Sequence, residues 1–321
     1  HNMTRGVATK LGIDYTGCRA VRPDVIYCNT YAYGLADPLG RFGGLDPLYQ
    51  ASAGLEYEGG ATREGNTPLY LRFGMCDASN ALLSIVGVLL ALVHRQRTGE
   101  GQELWTSLHD GGVIFSSDVW LDSTGEPWDH PRLDVDLCGT SALYRLYRTQ
   151  DDAWICVAAE RHEHWRALAR VLGAEALADD ERFATYDARR RHRTTLEAEL
   201  APRFLTRTAR AWTRLLDDAR VPNELPVDTV DGRSTLHDDD NVRLGLVADY
   251  EHPLLGAMRQ FGNLITFSDT RGSITRPPPL VGQHSREILR EAGYRNGDID
   301  AMLAGGVVYE LDDKYRERFR N

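Results

Sequence analysis

The chain has 321 residues, of which 42% are hydrophobic and 26% charged, with a formal net charge of −10, a mean hydropathy of −0.40 and a pI of about 5.5. That length suits about two domains and a sizeable buried core, and the acidic balance excludes the basic face a nucleic-acid binder needs. No apolar run reads as the roughly 18 residues of a membrane span, and the cysteines (Cys18, Cys28, Cys76, Cys138 and Cys156) are odd in number and lack a CxxC spacing, so no disulfide framework and no metal site are expected and the reading is of a reducing, cytoplasmic setting.

The chain opens on HNMTRGVATKLGIDY, with Met3 in third place and no signal-peptide pattern. It reads as a segment already inside a domain, and an N-terminal part of that domain is expected to be missing. Residues 6–11 suit a short helix, and DVIYCNTYAYG (24–34) is a strand by its β-branched and aromatic content. Helical character returns at Pro47, with Asp46 as the expected N-cap. A long helix follows Asp77: Leu82, Ile85, Val86, Leu89 and Val93 repeat at helical spacing, and RTGEG stops it. Residues 102–108 form a strand and 109 to about 122 another helix. Alternation of this kind implies an α/β layer fold with parallel strands.

Composition shifts after Ser123. Residues 123–138, with Pro127 and Pro131, read as a linker. ALYRLYRTQDDAWICVAAE gives two strands about a turn at 150–153, RHEHWRALARVLG and TARAWTRLLDDARVP are amphipathic helices, and residues 252–270 return to strand and turn. RPPPLVGQHSREILREAGY is a proline-rich crossing and a closing helix.

The chemical candidates divide between plain and functional readings. Asp77 stands at the start of an apolar helix, where an aspartate is ordinarily a cap. The helix dipole favours its ionised form, and nearby backbone N–H groups would let it act as a carboxylate nucleophile toward an activated carbonyl. Position alone leaves cap and nucleophile open. His162 and His164 point to different helix faces and read as surface residues. DARRRHRT reads as a solvated helix face and HDDDN as a turn. No GxSxG, GxGxxG or GxxxxGK[ST] motif is present; GRFGGLD is either a close-approach loop or a plain one. Tyr33, Tyr49, Trp105 and Trp120 either line a pocket or pack in the core, and core packing is the reading preferred for each.

Taken in order, HNMTRGVATKLGIDY, PDVIYCNTYAYG, GGLDPLYQASAG, GMCDASNALLSIVGVLLALVHRQRTGEGQELWTSLHDG, FATYDARRRHRTTLEAEL, ARVPNELPV, HPLLGAMRQFG and RPPPLVGQHSREILREAGY resemble the segments of a family III CoA-transferase, the group that includes formyl-CoA and carnitine CoA-transferases and alpha-methylacyl-CoA racemase. The resemblance implies an α/β fold: a Rossmann-like large domain (1–122), a linker (123–138), a smaller α+β domain (139–246), then a return linker and the C-terminal part of the large domain (247–321), in an interlocked homodimer. It implies that coenzyme A is a co-substrate, that acyl-CoA and carboxylic acids are the substrates, and that neither a membrane nor nucleic acid is a partner. It places the catalytic carboxylate at Asp77 and CoA contacts at Asn2, Met3, Thr4, Lys10, Phe42, Gly43, Gly44, Leu45, Arg148, Thr149 and Gln150. Lys10 stands where the family commonly has arginine, and meets a phosphate as a point charge rather than a fork. Where the small domain of some relatives carries a multi-glycine loop, this chain has DVDLCGTSA. Leu45 stands where the racemases carry a histidine; proton transfer between two faces of a carbon wants two opposed acid/base groups, so transfer is preferred to racemisation. A racemase or isomerase using Asp77 as acid/base, and an inactive remnant in which Asp77 is only a cap, are the alternatives.

Overall fold

The computed structural model describes residues 1–35, 39–57, 68–117, 119–126, 133–227 and 233–312. Residues 127–132 of the expected linker, with both its prolines, lie outside the described residues, as do residues 313–321 of the expected C-terminal part. The chain divides into two compact units, His1–Pro226 and Val227–Asn321.

The first unit begins with α1 (Val7–Leu11), α2 (Tyr15–Val21), β1 (Tyr27–Tyr31), α3 (Asp46–Ser52), α4 (Met75–Thr98), β2 (Glu103–Ser107) and α5 (Leu108–Val113). β1 and β2 run parallel, in register from Tyr27 opposite Glu103 to Tyr31 opposite Ser107. Parallel neighbours need a long crossover, and the stretch holding α3 and α4 supplies it. Gly99 ends α4 in a left-handed conformation, its N–H reaching Arg95 O, as a C-terminal glycine should. The helix expected from 109 to about 122 is shorter: α5 gives way to a 3₁₀ turn at Ile114–Ser116, because Gly111 and Gly112 lower helix propensity within it.

The apolar residues of α4 face outward. Leu82, Ile85, Val86, Leu89 and Val93 are 44–64% exposed, whereas Cys76, Asn80 and Ala91 are the helix's buried residues. Among the described residues α4 is the one helix long and apolar enough, by length and composition, to cross a membrane. That corrects the expectation that no such run exists: small polar residues such as Ser84 interrupt the run without making the 24-residue helix polar. Trp105 and Trp120, expected in a core, are likewise exposed; Tyr49 is fully buried.

The same unit continues with β3 (Gly139–Ser141), β4 (Tyr144–Arg148), β5 (Trp154–Ala158), α6 (His162–Val171), α7 (Glu175–Ala178), α8 (Tyr186–Arg191), α9 (Arg193–Phe204), α10 (Ala209–Asp218) and β6 (Asn223–Glu224). The strands form an antiparallel sheet in the order β3-β4-β5-β6, over which Trp165, Phe183, Leu196, Leu200, Phe204 and Trp212 close one continuous core. An ion network fastens the entering chain to this sheet. Asp134 meets Arg145 at 3.3 Å and Arg193 at 3.1 Å, and both arginines meet Glu197, at 2.8 and 2.7 Å. DARRRHRT is therefore more than a solvated face: Arg193 belongs to this network, and buried Arg189 donates to Phe183 O (3.1 Å) and Glu160 O (3.0 Å).

The second unit holds α11 (Arg233–Leu236), α12 (Asp239–Arg243), the antiparallel pair β7 (Val247–His252) and β8 (Gly256–Phe261), α13 (Ser285–Glu291) and α14 (Asn296–Ala304). HDDDN, expected as a turn, starts α12. Asp238 caps it by accepting from the Asn241 N–H at 2.8 Å, and two further acids in its first turn suit the positive helix end.

Candidate active site

In open α/β sheets ligands bind beyond the carboxyl ends of the parallel strands. A cavity of about 680 Å³ occupies that position here, lined by Thr30 and Tyr31 at the end of β1, by Ala32 just after it and by Leu108 after β2. Three further segments complete its wall. His1 O accepts from the Thr30 N–H (2.8 Å) and hydroxyl (2.9 Å), which lays Asn2, Met3 and Thr4 along the end of β1. The loop before α3 contributes Phe42, Gly43, Gly44 and Leu45, and α4 contributes Asp77, Asn80, Ala81 and Ser84, spaced to share one helix face. The glycine loop approaches closely for a physical reason: a side chain at Gly44 would overlap the buried Tyr49 hydroxyl. The close contact of GRFGGLD is with the Tyr49 side chain.

Asp77 caps nothing. α4 begins at Met75 with Gly74 at its N-cap position and no side-chain cap, so Asp77 lies inside the first turn. The capping group comes from α3. Asp46, expected to cap its own helix, is the first residue of α3 and is buried; its Oδ2 accepts the Asp77 N–H at 2.7 Å. Its Oδ1 accepts from Gln50 Nε2, which also donates to Phe73 O at 2.7 Å. An acid thus satisfies one orphan N–H at the positive end of α4 while holding the turn that carries Asp77. On the opposite side α5 packs tightly: a Cβ at Gly111 would stand 2.9 Å from Asn80 N.

Three side chains at this helix start carry nucleophilic atoms. Cys76 is fully buried, and burial, followed by the charges of Asp46 and Asp77, pushes its thiol up to about 11, so it stays protonated. The Ser79 hydroxyl donates to Gly111 O at 2.9 Å and also contacts Met75 O. Asp77 is the exposed one, and its carboxylate accepts no hydrogen bond from a described residue. Its pKa is raised from the ordinary value, first by partial withdrawal from water and then by the Asp46 charge. The helix dipole acts in the opposite direction.

Of the positions singled out in the sequence, Asn2, Met3, Thr4, Phe42, Gly43, Gly44 and Leu45 share this cavity with Asp77. Lys10 lies on α1, exposed and away from it, whereas Arg5 lines the cavity. Arg148, Thr149 and Gln150 line a separate cavity of about 340 Å³ with Asp152, Ala201 and Leu205. Thr149 is buried there, its hydroxyl donating to Asp151 (2.7 Å) and sharing Ala153 O (3.0 Å), which holds the β4–β5 turn. Arg5, Asp46 and Asn80 escaped the sequence reading. For Asn80 a signal existed, a polar residue three positions after Asp77 in an apolar helix; for Asp46 none pointed to another helix. Among the described residues no cluster of metal-ligating side chains is present.

The fold and the site together define an α/β protein with an exposed carboxylate beside a glycine loop, at the carboxyl ends of parallel strands. The sequence profile of CoA-transferase family III matches residues 1–285, and the chain belongs to that family. An acyl-CoA transferase of Fusarium pseudograminearum is 30% identical over 316 residues, covering 96% of this chain and 66% of the fungal protein. Succinyl-CoA:glutarate CoA-transferase of Mus musculus is 26% identical, covering 98% of this chain and 70% of its own length. The chain therefore spans about two thirds of these relatives. The crystal structure of Rv3272 from Mycobacterium tuberculosis superposes with a TM-score of 0.74 at 24% identity, over 89% of this chain and 75% of that one, which establishes the shared fold.

Proposed function

We propose that this protein moves CoA from an acyl-CoA donor to a carboxylic acid acceptor, with Asp77 as the nucleophile. The observation that carries the reading is the Asp77 carboxylate itself. It is exposed at the cavity, free of hydrogen bonds from described residues, and set on a helix turn that Asp46 holds from behind. A carboxylate short of water is a readier nucleophile than a fully hydrated one.

In this reading an Asp77 oxygen attacks the thioester carbon of the donor. The C–S bond breaks, CoA leaves as thiolate, and a mixed anhydride remains. The thiolate then attacks the Asp77 carboxyl carbon, releasing the donor acid as its carboxylate and leaving an aspartyl-CoA thioester. The acceptor carboxylate attacks that thioester, and the same two steps in reverse give the new acyl-CoA and free Asp77. No step needs a net proton. Asn2, Met3, Thr4 and the 42–45 loop would hold the CoA, and Arg5 is the cation at hand for its phosphates or for a substrate carboxylate. Leu45 offers no proton to a substrate carbon, which favours transfer over racemisation.

Mass spectrometry of the protein after incubation with acyl-CoAs tests this, beginning with succinyl-CoA and with glutarate as acceptor, the pair named for the mouse relative. A CoA adduct on Asp77 is expected. Transfer without any such adduct, or with the adduct on another residue, overturns the assignment.

The intact protein is further proposed to be a homodimer, in which a second copy covers the apolar face of α4 and the small domain of one copy completes the other's site. Exposed Leu82, Ile85 and Leu89 support it, since so large an exposed apolar patch marks an interaction surface. Sedimentation at low micromolar concentration should show the dimer; a folded monomer that still transfers CoA overturns it.

A further inference from the structure

Asn80 follows Asp77 by three residues on α4. It is only 5% exposed and lines the same cavity. Its Oδ1 is sealed from solvent and meets no donor among the described residues, and its amide makes no hydrogen bond to any of them. Its polar neighbours on the helix are committed elsewhere: Ser79 to Gly111 O at 2.9 Å, and Ser84 to the Thr106 hydroxyl at 2.7 Å. A buried amide without partners is uncommon and costly, and this one stands in a cavity wall. Residues three apart on a helix are neighbours, and each Cα–Cβ bond leans toward the helix N-terminus, so Asn80 extends toward Asp77. A half-turn of its terminal torsion exchanges the O and NH₂ ends. Its backbone is held in place by the close packing of Gly111 against Asn80 N.

We propose that the Asn80 side-chain amide donates a hydrogen bond to the acyl carbonyl oxygen during attack by Asp77, an assignment that rests on the reading of Asp77 as nucleophile. As the Asp77 oxygen bonds to the thioester carbon, the C=O π pair moves onto the carbonyl oxygen, and the N–H stabilises that charge. When the C–S bond breaks the pair returns, and the amide is unchanged. The donor is neutral, so it adds no further charge beside Asp46 and Asp77.

The test compares Asn80→Ala and Asn80→Asp with the wild-type chain in steady-state transfer. Alanine retains the Cβ beside α5; aspartate retains the shape but, ionised, donates nothing. Loss of one such donor lowers kcat by about 10²-fold. That fall is expected in the alanine variant, and at least as large a fall in the aspartate variant, with KM for the acyl-CoA within about threefold of wild type, since ground-state binding is untouched. Adding Asn80→Ala to Asp77→Asn should cost nothing more, because the donor has no attack left to assist. A kcat of Asn80→Ala within about twofold of wild type, or a rise in KM with kcat unchanged, overturns the proposal. If the alanine variant fails to fold, Asn80→Asp decides by the same split. Mass spectrometry separates the two layers. A wild-type Asp77–CoA adduct beside normal turnover in the variants overturns the Asn80 role alone. A wild type with neither adduct nor transfer overturns the nucleophile and this inference together.

Discussion

In residues 139–226 the apolar side chains of four strands and five helices meet one another, and nineteen buried apolar residues form one core. In residues 1–122 the corresponding described cluster has three, Tyr49, Leu55 and Cys76, while α4 turns most of its leucines, isoleucine and valines outward. The two regions have similar sequence ingredients and differ in closure. The first holds itself together; the second arranges its polar groups around a cavity and leaves its apolar surface exposed. Catalytic and binding groups sit where packing is incomplete, because a ligand needs the space that a closed core fills.

The largest expected effect lies at the open region's site. Asp77→Asn keeps the size of the side chain and leaves the Asp77 N–H to Asp46, yet removes the nucleophile. CoA transfer should fall by at least ~10³-fold, the scale on which deletion of a covalent nucleophile acts, with an unchanged circular dichroism spectrum. Transfer near the wild-type rate would erase the functional half of the comparison.

Next comes the closed region. Phe204 is fully buried, stacked on Tyr147 at 4.4 Å between ring centroids and edge-on to Trp212 at 5.6 Å. Phe204→Ala should cost about 3–5 kcal/mol in chemical unfolding. Leu89→Glu on the open face of α4 should cost the isolated fold less than about 0.5 kcal/mol but weaken self-association by about tenfold or more, read by sedimentation. Equal unfolding losses for the two variants would mean that the regions do not differ in closure.

A smaller effect is expected where the open region does pack closely. Gly44→Ala would drive a methyl into the buried Tyr49 hydroxyl, and overpacking of this kind costs about 1–3 kcal/mol. Tyr49→Phe removes that hydroxyl and should be close to neutral. In the Tyr49→Phe background Gly44→Ala should cost less than alone; additivity of the two in thermal unfolding would show that the loop moves aside instead.

Much of this was legible in the sequence. The period of α4 and its glycine stop, the β4–β5 hairpin and the amphipathic α6 and α10 follow from local pattern, and local pattern survives folding. The gathering of Asn2–Thr4, the 42–45 loop and Asp77 followed from resemblance to a family, since no spacing rule joins residues that far apart. Asp46 shows what pattern cannot reach. An aspartate before a proline reads as the cap of the helix it begins, but its carboxylate serves a helix 31 residues later, and only the packing of α3 on α4 reveals it. The exposure of the apolar face of α4 lay beyond pattern for a related reason: periodicity shows that one face is apolar and does not say whether it is covered.

The smallest effect concerns the pH dependence of stability at the same carboxylate. Withdrawal from water, and then the Asp46 charge, raise the pKa of Asp77 in the folded chain; in the unfolded chain it titrates near the ordinary aspartate value, about 3.9. Between the unfolded and the folded value the native state therefore binds more protons, so stability falls as pH rises through that interval. The stabilising contribution of this group is complete below the unfolded pKa and is lost above the folded one. Asp77→Asn cannot titrate. The variant should gain on the wild type as pH climbs from about 3 to neutrality, with most of the gain made just above the ordinary aspartate value. Asp46→Asn keeps an oxygen able to accept the Asp77 N–H but removes the neighbouring charge. In that background the pH-dependent gain should shrink without vanishing, because desolvation, the larger cause, remains. Chemical unfolding of the four chains across that range checks both statements. A wild type that gains on Asp77→Asn with rising pH would mean that the helix dipole, and not burial, governs this carboxylate.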